Sequence, residues 1–289
     1  MDKNLVLRTV SGLVYCAIII LCTTPLGAKI LAPLFPSLGQ EPLFFGLMGF
    51  LMLAGTWECI KIMKFDPKSW ERFAVLPLVI LVFYRFAKRF FQQGFYFQFN
   101  LSEILAFLLI VIAVVTLFRF KEELYQESGK LIFTVIYTAL PFSFALGLPS
   151  FNRDGNFTLE VFMMFVLIWS SDTFAYLAGR LFGKHKMAPK ISPKKTWEGF
   201  AGGVILTLIL SYFVERNFPD LRGDWQIVGF LIAVFAPIGD LVESQLKRSF
   251  GVKDSGNIIP GHGGILDRLD SFIICAPVVY LYFMLSNLI

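Results

Sequence analysis

The 289-residue chain is 56% hydrophobic and only 16% charged, with 33 Phe and a formal net charge of +5. Soluble domains carry roughly a quarter charged residues, so a soluble globular class is excluded and a membrane protein remains. The positive balance does not point to nucleic acid: the basic residues lie between apolar runs, where they act as topology signals and as partners for phosphate or anionic lipid.

Apolar runs long enough to cross a bilayer, about 17–25 residues as helix, recur along the whole chain. Nine spans are expected, at 10–26, 43–62, 73–91, 101–118, 131–149, 160–178, 199–214, 226–246 and 271–288. The fold class is therefore all-α and polytopic, a single membrane domain over 1–289. Residues 1–150 are mainly scaffold helices, and 160–289 hold the unusual polar residues. No cleavable leader is expected, because the first run lacks a small-residue cleavage site and more spans follow. Cys16, Cys22, Cys59 and Cys275 form no CxxC, which argues against a disulfide framework or a zinc site.

With the N-terminus in the cytoplasm, 19 of the 26 Lys and Arg fall in cytoplasmic stretches and seven on the opposite side. This is the expected positive-inside bias. Arg85, Lys88 and Arg89, at the end of the third span, run against it. Gly199, Gly202 and Gly203 open the seventh span with a small-xxx-small pattern suited to close helix packing.

Charges inside spans are costly and default to functional candidates. Asp172 shares a helix face with Tyr176, Gly179 and Arg180; it is either a site residue or the structural partner of Arg180. The segment "KHKMAPKISPKKTWEG" follows, with Lys194 and Lys195 among five lysines. Pro189 and Pro193 keep it from forming one helix. It reads equally as a topology signal or as an anion-binding loop. Thr196 is the expected N-cap of the seventh helix, with Glu198 in its first turn.

The densest polar stretch is "APIGDLVESQLKRSFGVKDSGNIIPGHGGILDRLD". Asp240, Ser244, Lys247 and Arg248 are expected on one helix face. Gly256, Gly261, Gly263 and Gly264 allow backbone amides to approach an anion, although no GK[ST] closes the loop as in a Walker motif. His262 is a phosphate donor, a proton shuttle or a turn residue. Asp267 and Asp270 lie one helical turn apart at the start of the last span. Capping could explain one of these two, but with Asp240 at the end of the preceding antiparallel helix, able to meet Asp267, they also suit Mg²⁺, which usually keeps one or two protein carboxylates plus substrate phosphates. The residues together describe a cytoplasm-facing pocket, partly sunk in the bilayer, for a divalent ion and phosphates.

Ser244, Lys247, Arg248, Lys253, Asp254, Gly256, Pro260, His262, Gly263, Gly264, Asp267, Arg268 and Asp270 resemble the signature of the phosphatidate cytidylyltransferases, the CDP-diacylglycerol synthases. The earlier "SSDTFAYLAGRLFGKHK" and "ISPKKTWEG" resemble the same family. The resemblance implies an inner-membrane enzyme that uses CTP, phosphatidic acid and Mg²⁺, assembles as a homodimer and takes no nucleic acid. Whether a second, monovalent cation joins the site stays open. On this resemblance Asp240 and Asp267 hold the metal, and Asp270 assists or orients Arg268. Lys247, Arg248, Lys253 and Arg268 neutralise phosphate, and the backbone of 261–264, including Gly261, cradles it. Asp172, Lys194 and Lys195 shape the pocket. The rival readings are a CTP-dependent polyprenol or phytol kinase and a cation-coupled transporter.

Overall fold

A computed structural model of the chain describes residues 3–36, 38–93, 101–149 and 158–286. Arg153, one of the seven basic residues expected on the opposite side, and the last two residues of the ninth expected span lie outside them. Hydrocarbon offers no partner for backbone N–H and C=O groups, so the apolar runs satisfy them internally as helices. The first half holds α1 (Lys3–Thr23), α2 (Leu26–Leu31), α3 (Gln40–Ile62), α4 (Trp70–Gln93), α5 (Leu101–Arg119), α6 (Lys121–Tyr125) and α7 (Glu127–Ala145). The second half holds α8 (Glu160–Phe182), a hairpin of β1 (Lys186–Ala188) and β2 (Ser192–Thr196), α9 (Trp197–Asn217), α10 (Trp225–Ser249) and α11 (Leu266–Ser286).

Eight of these helices are long and apolar enough to cross a membrane. Besides the short α2 and α6, the helix outside this set is α4, the third expected span, whose 24 residues include Glu71, Arg72, Arg85, Lys88 and Arg89. Contacts near its start nevertheless show that the chain must recross there. Lys130 Nζ donates to the Lys64 carbonyl at 3.1 Å, and Glu127 accepts from the Asp66 amide and the Ser69 hydroxyl. The end of α3 and the start of α7 therefore share one side. Since α5 spans, α4 has to carry the chain back the other way, as a ninth span would.

Further contacts gather more loops on that side. Tyr125 reaches the Ser249 carbonyl at the end of α10, and Ser11 of α1 reaches the loop before α11. On the opposite side, the Asp224 amide donates to the Tyr282 hydroxyl and the Arg222 amide to Glu160. The connections rich in Lys and Arg thus meet at one end of the bundle.

Helices α7 and α11 form the centre, buried along most of their length. Phe272 of α11 stacks on Phe165 of α8 at 4.7 Å, and Tyr280 packs on Phe144 of α7. Capping sets where α9 and α10 begin. Thr196 Oγ1 accepts from the Gly199 amide, and Asp224 Oδ1 accepts from the amides of Gln226 and Ile227. The two prolines expected to break the basic segment fall in or beside the hairpin, where Lys186 pairs with Thr196 and Ala188 with Ser192.

The small residues of α9 pack on α8. A side chain at Gly202 would collide with the Ala178 methyl, and one at Gly203 would press on Ala175. Gly202→Leu should therefore destabilise the protein by about 1–3 kcal/mol, the usual cost of overpacking. Thermal melting in detergent checks this. Ile205→Leu, on the open face of the same helix, should melt as the wild type does; equal melting of both variants would contradict the close α8–α9 contact.

Candidate active site

The polar end of α10 meets the start of α11 because Gly239 lets the two backbones touch. A Cβ there would run into the Asp270 carbonyl and the Ser271 Cα. That contact sets Asp240 next to Asp270. Ser271 reinforces it by donating to the Ala236 carbonyl at 3.0 Å.

Each of the two expected metal ligands is engaged by a lysine. Asp240 Oδ2 lies 2.7 Å from Lys195 Nζ, and its Oδ1 accepts from Ser244 at 3.1 Å. Lys195 also donates to the Pro237 carbonyl at 2.9 Å, which holds the hairpin against α10. Asp267 Oδ1 lies 2.6 Å from Lys247 Nζ, which also sits 3.1 Å from Glu243 Oε1. Asp267 Oδ2 accepts from the Ser255 amide, the Ser255 hydroxyl and the Gly264 amide at 2.8–3.0 Å. Asp267 therefore ties the loop down with one oxygen and keeps the other for a cation.

Two cavities meet at these residues. The larger, about 790 Å³, lies between α1, α8, the hairpin and the start of α9; Tyr15, Trp169, Asp172, Tyr176, Arg180, Lys194, Lys195 and Phe200 line it. The smaller, about 550 Å³, is lined by Arg8, Lys247, Asp254, Gly256, Gly261 and Gly263. Both share Asp240, His262, Asp267, Arg268 and Asp270. Like charges in one cavity repel unless cations lie among them, which Lys195, Lys247 and Arg268 provide. Asp172 and Arg180 line the larger cavity together, and among the described residues no ion pair joins them.

Not every expected site residue arrives. Arg248 is exposed and donates to the Val252 carbonyl at the end of its own helix. Lys253 is exposed and lines neither cavity. The anion cradle is narrower than expected, because the His262 amide donates to Ile259 and the Gly264 amide to Asp267. Gly261 and Gly263 do take the positive φ that their turn requires.

Other residues were not anticipated. Arg8, Ser11 and Tyr15 come from α1, and Glu58 from α3, the second expected span. Glu58 is a buried carboxylate against the loop, accepting from the Ile265 and Leu266 amides at 3.0 and 2.9 Å. As the one acidic residue in the second expected span, it met the same criterion that singled out Asp172.

The donor set suits a hard cation. Among the described residues no three His, Cys, Asp or Glu side chains form a ready-made cage. Asp240 presents one oxygen to Lys195 and Asp267 one to Lys247, and hard carboxylate oxygens of this kind suit a divalent ion that completes its shell with phosphate oxygens.

His262 lies against α1, with Nδ1 2.8 Å from Ser11 Oγ. Desolvation first, and then the cations Arg268 and Arg8, hold its imidazole below the usual histidine range. The ring is therefore neutral at neutral pH. Its contribution to stability is present above the ordinary histidine value and lost as pH falls through the lowered one. Between about pH 7 and about pH 5, the melting temperature of the wild type should fall further than that of His262→Gln. Parallel curves would contradict this placement of the ring.

Comparison with known proteins places these features in context. The sequence profile of the Cytidylyltransferase family matches residues 12–286. A Bacillus subtilis protein named phosphatidate cytidylyltransferase is 39% identical over 186 residues, 64% of this chain and 68% of the relative. One of the same name from Haemophilus influenzae is 34% identical over 263 residues, 84% of this chain and 91% of the relative. One from Staphylococcus haemolyticus is 40% identical over 181 residues, 61% and 65% of the two chains.

Proposed function

This chain belongs to the cytidylyltransferase family, and from that premise we propose that it is a phosphatidate cytidylyltransferase with its reacting centre at the junction of the two cavities. The reaction joins CTP and phosphatidic acid to give CDP-diacylglycerol and pyrophosphate. The observation that carries the assignment of the site is the junction itself. One set of carboxylates and cations borders both a larger cavity with apolar walls and a smaller polar one.

The larger cavity, lined in part by Trp169, Tyr176 and Phe200, suits a lipid whose phosphate points inward. The smaller suits a triphosphate beside Arg8, Lys247 and Arg268. An oxygen of the lipid phosphate attacks the α-phosphorus of CTP. The bond from that phosphorus to the bridging oxygen breaks, and pyrophosphate leaves. A phosphate monoester is mostly doubly ionised near neutral pH, so no base has to remove a proton first. The protein's work is alignment and charge neutralisation. Lys195 and Lys247 hold Asp240 and Asp267 in place, and a polyanionic substrate draws the ammonium groups towards its own oxygens. Arg268 is fixed by donating to the His262 carbonyl at 2.8 Å. Asp270 stands beside Asp240 and Asp172, where it keeps the cavity attractive to cations. Mg²⁺, held by Asp240 and Asp267, would supply further neutralisation of the triphosphate.

In this reading the site faces the cytoplasm of a bacterial inner membrane, the side where the basic connections gather. Homodimer formation, implied by the family resemblance, is part of the same proposal.

Asp240→Asn and Asp267→Asn should each lower CDP-diacylglycerol formation by more than about a hundredfold while the protein still inserts. Near-normal turnover in either variant contradicts the role given to that carboxylate. With CTP labelled at the α-phosphate, the label should enter the lipid product. With γ-labelled CTP it should leave as pyrophosphate, and γ-label in the lipid would signify a kinase instead.

A further inference from the structure

We propose that Glu58 is a positioning residue for Asp267, acting across the bundle from the first half of the chain. The inference rests on the role given above to Asp267. Glu58 lines neither cavity. Its residue is 1% exposed, and a carboxylate so buried is costly unless its lone pairs are engaged. They are engaged by the loop between α10 and α11 and by the start of α11. Oε1 accepts from the Ile265 amide and Oε2 from the Leu266 amide, two donors at the start of α11 that no turn of that helix can satisfy. A negative charge is favoured there by the helix dipole as well.

Asp267 is the next residue. The Ser255 hydroxyl bridges the two acids, 3.1 Å from Glu58 Oε2 and 2.9 Å from Asp267 Oδ2. Glu58 thus fixes the backbone on which Asp267 stands and, through Ser255, its Oδ2. The remaining oxygen, Oδ1, is left pointing at Lys247. The loop makes room for this: a side chain at Gly256 would come within 2.5 Å of Glu58 Oε1, and one at Gly264 would collide with Ser255 and crowd Glu58. Two glycines of the loop therefore admit the Glu58 carboxylate, a use distinct from admitting phosphate.

The test uses the purified full-length protein and CTP with Mg²⁺ as the probe. Glu58→Gln keeps the volume but offers one acceptor oxygen in place of two. The expected result is about tenfold weaker binding of CTP with Mg²⁺ by calorimetry, the effect of losing one charge-assisted hydrogen bond. The KM for phosphatidic acid should stay unchanged. Ser255→Ala should weaken CTP binding in the same direction with Glu58 intact, and it decides the matter if Glu58→Gln fails to fold. A purely structural Glu58 would lower the melting temperature while the folded variants bound CTP as the wild type does, and that result overturns the proposal. Wild-type protein that bound no CTP with Mg²⁺ would overturn the proposed function and this inference with it. Wild-type binding with unaltered variants would overturn this inference alone.

Discussion

The pairing of Lys247 with Asp267 is the interaction on which the polar end of the bundle depends. Glu243 of α10 is fully buried, and the one cation paired with it among the described residues is the Lys247 ammonium, 3.1 Å from its Oε1. The same ammonium balances Asp267, so one cation serves two acids on two helices. A buried charge without its partner costs several kcal/mol, far more than the net gain from an intact pair. The lysine therefore cannot leave cheaply unless another cation arrives. A fold built in this way keeps a position for positive charge at the mouth of the site and holds α10, α11 and the loop between them in fixed register.

The second half of the chain was largely legible in sequence because its chemistry is local. Thr196 caps α9, the glycines of α9 meet α8, and Asp240, Ser244 and Lys247 line up along one helix. Arg248 shows the limit of such reasoning. It lies eight residues from Asp240, and at about 100° per residue that turns it roughly 80° away from the shared face, whereas Lys247 returns almost to it. Its guanidinium accordingly caps its own helix. The basic segment between α8 and α9 was ambiguous in composition. The hairpin resolves one of its lysines: Lys195 is directed inward to Asp240.

What sequence could not supply was the contribution of the first half. Arg8, Ser11 and Tyr15 sit on a helix that reads as an ordinary apolar span, and Glu58 is about 200 residues from the loop it holds. No periodicity connects positions so far apart; only the packing of α1 and α3 against the α10–α11 loop brings them together. The α4 helix gives the complementary lesson. Its charges run against the positive-inside bias and keep it out of the helices that qualify as spans by composition. The contacts of Lys130 and Glu127 with the 64–69 turn still require the chain to recross there. Topology is thus better constrained by which loops touch than by the apolarity of any one helix.

The central claim is that Asp240 and Asp267, now balanced by lysines, form one site for a divalent ion with the nucleotide's triphosphate. Electron paramagnetic resonance of Mn²⁺ titrated into the purified protein with CTP tests it most directly, because free and bound Mn²⁺ give separable signals. The claim predicts bound Mn²⁺ in the wild type that disappears in the Asp240→Asn, Asp267→Asn double variant. Undiminished Mn²⁺ binding by that folded double variant would contradict it.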